Sequence, residues 1–138
     1  MVHTEELTLV SEGSFHAINV TEQVRSVVKT SGVQNGSVLV FFRHTTGAVM
    51  IVEHEAGILV DLEDVLEKIV PLAYDYKHHL RGADTNGAAH VRTALLSVSV
   101  TVPVLDGDLL LGRWQEILVV DMDPNAKPRT IIVQVMGE

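Results

Sequence analysis

The residues of this chain best suited to chemistry are three histidines in separate segments, His44, His78 and His90. A neutral imidazole nitrogen is a good donor to zinc and similar divalent ions, so three of them form a candidate metal set. Their spacing is not that of a short metal motif, and pattern alone does not unite them. Thr45 and Thr46 follow His44 directly, and Asn86 stands four residues before His90. Glu53, Asp84 and Asp121 are candidate acids, bases or hard-metal ligands. Anion recognition is the competing chemistry, built from the amides of a helix starting at Asn86 together with Thr45, Thr46, Arg81 and Arg129. The sequence contains neither GxxxxGK[ST] nor GxSxG, which argues against a phosphate loop for ATP hydrolysis and against a nucleophile elbow. His3, His16 and His54 read as ordinary surface or structural residues.

The elements that must position these groups follow from periodicity. Val38, Val40 and Phe42 alternate with Leu39 and Phe41, and Ala48, Met50 and Val52 alternate with Val49 and Ile51. Both arms are apolar on both faces, which predicts two central strands with His44-Thr45-Thr46 at the turn between them. Before them, residues 4–10 and 15–18 predict an opening hairpin. A helix begins at Asn19 or Thr21, carries Val24, Val27 and Val28 on one face and stops at Gly32. After Gly57 a second helix sets Ile58, Leu62, Val65, Leu66 and Ile69 against an acidic face and ends at Pro71. Residues 71–85 have no period, yet carry Tyr, His, Lys, Arg and Asp, the composition of a functional segment. Asn86 then caps a short helix with Val91, Ala94 and Leu95 inward. From Ser97 the pattern is all strand, with Asp106-Gly107 as a tight hairpin and residues 121–128 as a polar loop. The expected fold is α+β, a single domain over residues 1–138 with a mainly antiparallel sheet or sandwich and about three helices.

At 138 residues the chain buries a core without staples, and with no cysteine it has neither disulfides nor thiolate chemistry. Eighteen acidic residues against ten basic ones give a formal charge of −8, which disfavours nucleic acid or an anionic membrane as the partner. No apolar stretch approaches membrane-spanning length and no basic segment precedes an apolar run, so the expectation is a soluble cytoplasmic protein.

Several short motifs in fixed order carry a family resemblance. The segment from Phe42 to Glu53 with His44-Thr45-Thr46, Tyr76-Lys77-His78, Asn86 with His90, and Val102-Pro103-Val104 with Gly107 form the first part. Leu111-Gly112-Arg113-Trp114-Gln115, Pro128-Arg129 and Gly137-Glu138 complete it. Together they resemble the YjbQ-like family, whose members are often named secondary thiamine-phosphate synthase enzymes. The resemblance implies a compact α+β domain, a homotrimer and a polar site around shared histidines. It implies catalytic roles for His44, His78, His90 and Glu53, with the three histidines holding a divalent metal such as zinc or magnesium. It implies substrate or anion contacts for Thr45, Thr46, Asn86, Trp114, Gln115 and Arg129. The implied reaction joins a thiazole phosphate to a pyrimidine pyrophosphate with loss of pyrophosphate. The alternative is a non-catalytic trimeric protein that binds a divalent metal or a small phosphorylated metabolite. Only ten basic residues and no acidic DDxxD pair favour a side activity over a dedicated synthase, so whether the chain is an enzyme stays open. The sequence departs from the family at Gly47, where Ala is usual, at Val52 for Asn, at Arg113 for Thr, and at Ala126-Lys127 for Asp-Gly. Two of these changes add a basic group near the expected site loops.

Overall fold

The computed structural model describes residues 1–82 and 84–138, without the side chain of Arg81. The expected anion contact at Arg81 lies outside the described side chains. Among the described residues the order is β1 (Val2–Ser11), β2 (His16–Asn19), α1 (Thr21–Ser31), β3 (Asn35–Phe42), β4 (Gly47–Val52), α2 (Ala56–Ile69), a 3₁₀ turn (Lys77–Arg81) and α3 (Gly87–Leu96). The chain closes with β5 (Ser99–Leu105), β6 (Asp108–Leu109), β7 (Glu116–Asp121) and β8 (Lys127–Gly137).

The strands sort into two antiparallel sheets, one ordered β1-β8-β3-β5-β6 and the other β2-β7-β4. Val40 of β3 stands opposite Val100 of β5 and Val133 of β8, so three Val-rich strands meet at the middle of the larger sheet. One core fills the space between the sheets, with Val38, Val40, Phe42, Val49, Val119 and Val133, and α1 closes it with Val24, Val27 and Val28. A second core lies on the far face of the small sheet, where Ala48, Leu118 and Val120 meet Leu66 of α2 and Ala89 of α3. The layers are therefore large sheet, core, small sheet, second core and helices. An α+β single domain with antiparallel sheets and three α-helices is what the periodicity predicts. No helix among the described residues is long and apolar enough to cross a membrane.

The predicted opening hairpin does not form. β1 pairs with β8 and β2 with β7, in different sheets. Gly13, Ser14 and Phe15 all take positive φ, and the Ser14 amide donates to Asp123 O at 2.7 Å, so the turn redirects the chain across the sandwich. The second predicted central strand is also displaced: β4 is an edge of the small sheet. Its two apolar faces are real, but the reason is layering, because Val49 and Ile51 face the inter-sheet core while Ala48, Met50 and Val52 face the helices.

The helix ends follow the sequence more closely than the helix faces do. Gly32 stops α1 in the left-handed region at φ 74°. Val20 occupies the cap position, with Asn19 Oδ1 accepting from the Thr21 amide at 3.0 Å. Glu55 caps α2, accepting from the amides of Gly57 and Ile58, and those two bonds hold its carboxyl below the usual carboxylate range. Asn86 sits at the cap of α3 but makes no side-chain cap bond. In α3 the buried side is Ala88, Ala89, Arg92 and Thr93, whereas Val91 and Leu95 are 42% and 62% exposed and Ala94 is exposed. Small residues let the helix lie close on β4, which turns the larger apolar residues outward. In α2 the predicted stripe splits likewise, with Leu66 buried and Val65 and Ile69 exposed.

Candidate functional site

The end of α2 and the middle of α3 are fastened by a buried guanidinium. Arg92 donates from Nε to Val70 O at 3.0 Å and from a terminal nitrogen to Glu67 Oε2 at 3.0 Å. Glu67 also accepts from the Leu72 amide, at 3.1 Å through Oε2, which fixes the first residues beyond α2. Tyr76 returns its hydroxyl to Pro71 O, and its ring meets His79 edge-on. Gly87 lets this segment approach α3: a Cβ there would lie 2.6 Å from Tyr76 Cβ and 2.9 Å from His79 Nε2. The Gly87 amide instead donates to His79 Nε2 at 3.0 Å, docking the 3₁₀ turn on the first turn of α3.

That docking brings His78 beside His90, with ring centroids 4.6 Å apart and planes inclined at 58°. Asn86 is tied to His90 through the backbone, the His90 amide donating to Asn86 O at 3.2 Å. His78 Nε2 and Asn86 Oδ1 are both buried without a hydrogen-bond partner among the described residues. A buried polar atom left unpaired costs about 1–3 kcal/mol, so each of these two marks a position open to a ligand.

His44, Thr46 and Arg129 assemble elsewhere, where β3 crosses to β4. Arg129 is 3% exposed and grips Asp121 with both Nε and a terminal nitrogen at 2.9 Å. It also donates to Thr46 Oγ1 at 2.9 Å and stands 3.4 Å from Asp123 Oδ2. Thr46 Oγ1 donates in turn to Asp123 Oδ2 at 3.0 Å, and Lys127 pairs with the same carboxylate at 3.1 Å. Burial works to raise the Asp123 pKa, but the Asn125 amide, Lys127 and Thr46 outweigh it and hold the carboxyl below its ordinary value. His44 Nε2 accepts from the Thr130 amide at 2.8 Å and its ring lies 4.9 Å from that of Phe42. Burial, then the Arg129 charge, pushes the His44 pKa down, so the imidazole is held neutral. Thr45 is exposed at the crossover.

The remaining expected residues lie apart. Trp114 is 62% exposed on the loop between β6 and β7, with the Arg113 guanidinium 4.9 Å from its ring centre. Gln115 Oε1 accepts from the Gly112 amide at 2.8 Å, closing that loop. Glu53 is exposed between β4 and α2, where the neighbouring His54 pairs its Nδ1 with Asn19 at 3.3 Å. The structure thus pairs His78 with His90, one helical turn from Asn86, separately unites His44, Thr46 and Arg129, and leaves Glu53 and the Trp114 loop on their own.

Within one chain, and among the described residues, no three His, Cys, Asp or Glu side chains gather to hold a metal ion. The donor chemistry fits a metal in part, since His78 offers an unused nitrogen beside a second imidazole, and a closed tetrahedral set needs further donors. Sequence reasoning missed His79, Gly87 and Arg92. The signal for His79 was its adjacency to His78, while nothing local distinguishes Gly87 or Arg92. Asp121, read as a candidate acid, is the counter-ion of Arg129.

Comparison with known proteins agrees with this architecture. Residues 5–138 match the family described as UPF0047 protein YjbQ-like. A UPF0047 protein of Methanothermobacter thermautotrophicus is 39% identical over 137 residues, spanning 99% of this chain and 94% of that protein. One from Archaeoglobus fulgidus is 40% identical over 131 residues, spanning 95% and 99%. The crystal structure of a Sulfolobus solfataricus protein of unknown function superposes with a TM-score of 0.93 at 32% identity, covering 100% of this chain and 99% of that one. A hypothetical protein from Aeropyrum pernix gives a TM-score of 0.90 at 33% identity, over 99% of both chains. With the fold, the chain length and the sequence all in agreement, this chain belongs to the YjbQ-like UPF0047 family.

Proposed function

We propose that this protein is a homotrimeric binding protein for a divalent transition-metal ion, with zinc the natural fit to imidazole donors. The observation that carries the reading is the buried Nε2 of His78, without a partner among the described residues, beside the His90 ring. His90 is the second donor. His44, the third histidine expected, is not a donor in this tautomer, because its Nε2 accepts from the Thr130 amide and the neutral ring therefore carries its proton on Nδ1; the remaining donors come from a neighbouring protomer or from solvent. A trimer is favoured by the apolar surface around the histidine pair, where Leu80 is 85% exposed and Ile69, Leu72, Val91 and Leu95 are also uncovered. When bound, the ion supplies Lewis acidity and a neutralising charge. His78 and His90 would hold and orient it.

Transfer of a pyrimidine group with loss of pyrophosphate needs a cation free to meet the leaving group. The best placed by motif, Arg129, has its guanidinium engaged by Asp121 and Thr46, and this favours binding over transfer. Calorimetric titration with zinc chloride tests the proposal. One ion should bind per protomer, and His78→Ala and His90→Ala should each abolish binding while remaining folded. Saturable binding of inorganic phosphate with no uptake of zinc would replace the metal by an anion. Thiamine phosphate formed above background with metal supplied would put the transferase reading first.

A further inference from the structure

A cavity of about 400 Å³ lies between α2, α3 and the two loops that carry Ser14 and Pro124. This is within the size range of small-molecule sites. Phe15, Leu72 and Met122 contribute apolar surface to its wall, and Ala88 and Ala89 leave room where larger residues would fill it. Glu63, Asp64 and Glu67 line it from one face of α2, at positions three and four apart, and Arg92 lines it from α3. Three carboxylates against one guanidinium leave the lining negative. The charges are not equivalent, because Glu67 is committed to Arg92 and to the Leu72 amide. Glu63 and Asp64 are exposed and make no ion pair among the described residues, so they are the carboxylates open to an incoming group. Asn86 is also in the wall, and its Oδ1 has no donor among the described residues.

We infer that this cavity binds a small organic cation, with one or two ammonium groups on a short apolar chain. The methylenes lie on Phe15 and Met122, and an ammonium meets Asp64 and Glu63 at the rim. A ligand N–H reaching Asn86 supplies the bond its oxygen lacks. An anionic ligand would face the same carboxylates at a cost, since Arg92 already spends its charge on Glu67. His78 and His90 are not among the lining residues, so this inference stands apart from the metal reading.

The test is calorimetric titration of the full chain with putrescine, against 1,4-butanediol as the uncharged probe of the same length. One putrescine should bind saturably per protomer, with no saturable binding of the diol. The double variant Glu63→Gln, Asp64→Asn changes only exposed residues and should weaken putrescine by about tenfold or more. His78→Ala should bind putrescine as the unaltered protein does. No saturable putrescine binding, equal binding of the diol, or an undiminished affinity in the double variant would overturn the inference. Loss of binding in His78→Ala would overturn it as well, by placing the amine at the imidazole pair.

Discussion

Replacing Arg129 with Ala should damage stability far more than any binding function. The guanidinium makes three hydrogen bonds at 2.9 Å, two to Asp121 and one to Thr46, and lies within 3.4 Å of Asp123. Truncation leaves Asp121, which is 0% exposed, with the Asp123 amide as the bond to its side chain recorded at 3.1 Å, and with no cation. Asp123 keeps Lys127, so the damage centres on Asp121. Breaking a buried pair by removing one partner costs about 3–5 kcal/mol, because the other charge stays behind uncompensated. For a chain of this length each kcal/mol lowers Tm by about 3–5 °C, so the expected fall is about 9–25 °C. Thermal and urea unfolding followed by circular dichroism measure it. Arg129→Lys should recover little, since an ammonium cannot reproduce the two-pronged grip on Asp121. Exchanging both partners, Arg129→Met with Asp121→Leu, should lose much less than either single change, because no orphaned charge remains. A loss below about 1 kcal/mol in Arg129→Ala would refute the reasoning and return Arg129 to the role of a free anion contact.

Three further outcomes are expected. The folded pKa of His44 lies below its unfolded value of 6.5, so the stability from its neutral ring is fully present above that pH and is lost as pH falls through the lowered folded value. Unfolding free energies of the unaltered protein and His44→Gln, measured from pH 8 to pH 5, should show the steeper decline in the former, and parallel curves would count against it. Gly87→Ala should force the Tyr76 segment off α3 and cost about 1–3 kcal/mol, with metal uptake falling alongside; an unchanged Tm and unchanged zinc binding would show that the 3₁₀ turn is not docked as described. Leu95→Glu together with Val91→Asp places charge on the uncovered face of α3 and should shift sedimentation equilibrium from trimer to monomer, while a trimer that persists would locate the contact elsewhere.

The sequence was most informative where the determinant is local. Gly32 ends α1, Asp106 and Gly107 turn the β5–β6 hairpin with positive φ at both positions, and the Val-rich run of β3 is a central strand. Alternation says which residues face a core but not which strand lies alongside, so it could not reveal that β1 reaches across the whole chain to β8. The same limit produced the hairpin that does not exist. In α3 the apolar residues at 91, 94 and 95 share a face as a core stripe would, yet Ala88, Ala89 and Thr93 point inward. Arg92 joins them there because its head reaches Val70 and Glu67 while its stem is covered. The histidines were legible as residue types with metal-binding chemistry. The pairing of His78 with His90 depends on Gly87 and His79 closing the segment onto α3, a tertiary contact that no spacing rule encodes.

The central proposal is that His78 and His90 hold a metal ion. Its most direct test is a crystal of the protein equilibrated with zinc and measured on either side of the zinc absorption edge. One anomalous peak per protomer is expected, about 2.0–2.1 Å from a ring nitrogen of His78 and of His90, with donors from a neighbouring protomer or solvent completing the set. Fully ordered imidazoles with no anomalous peak between them, or with phosphate in that place, would contradict it.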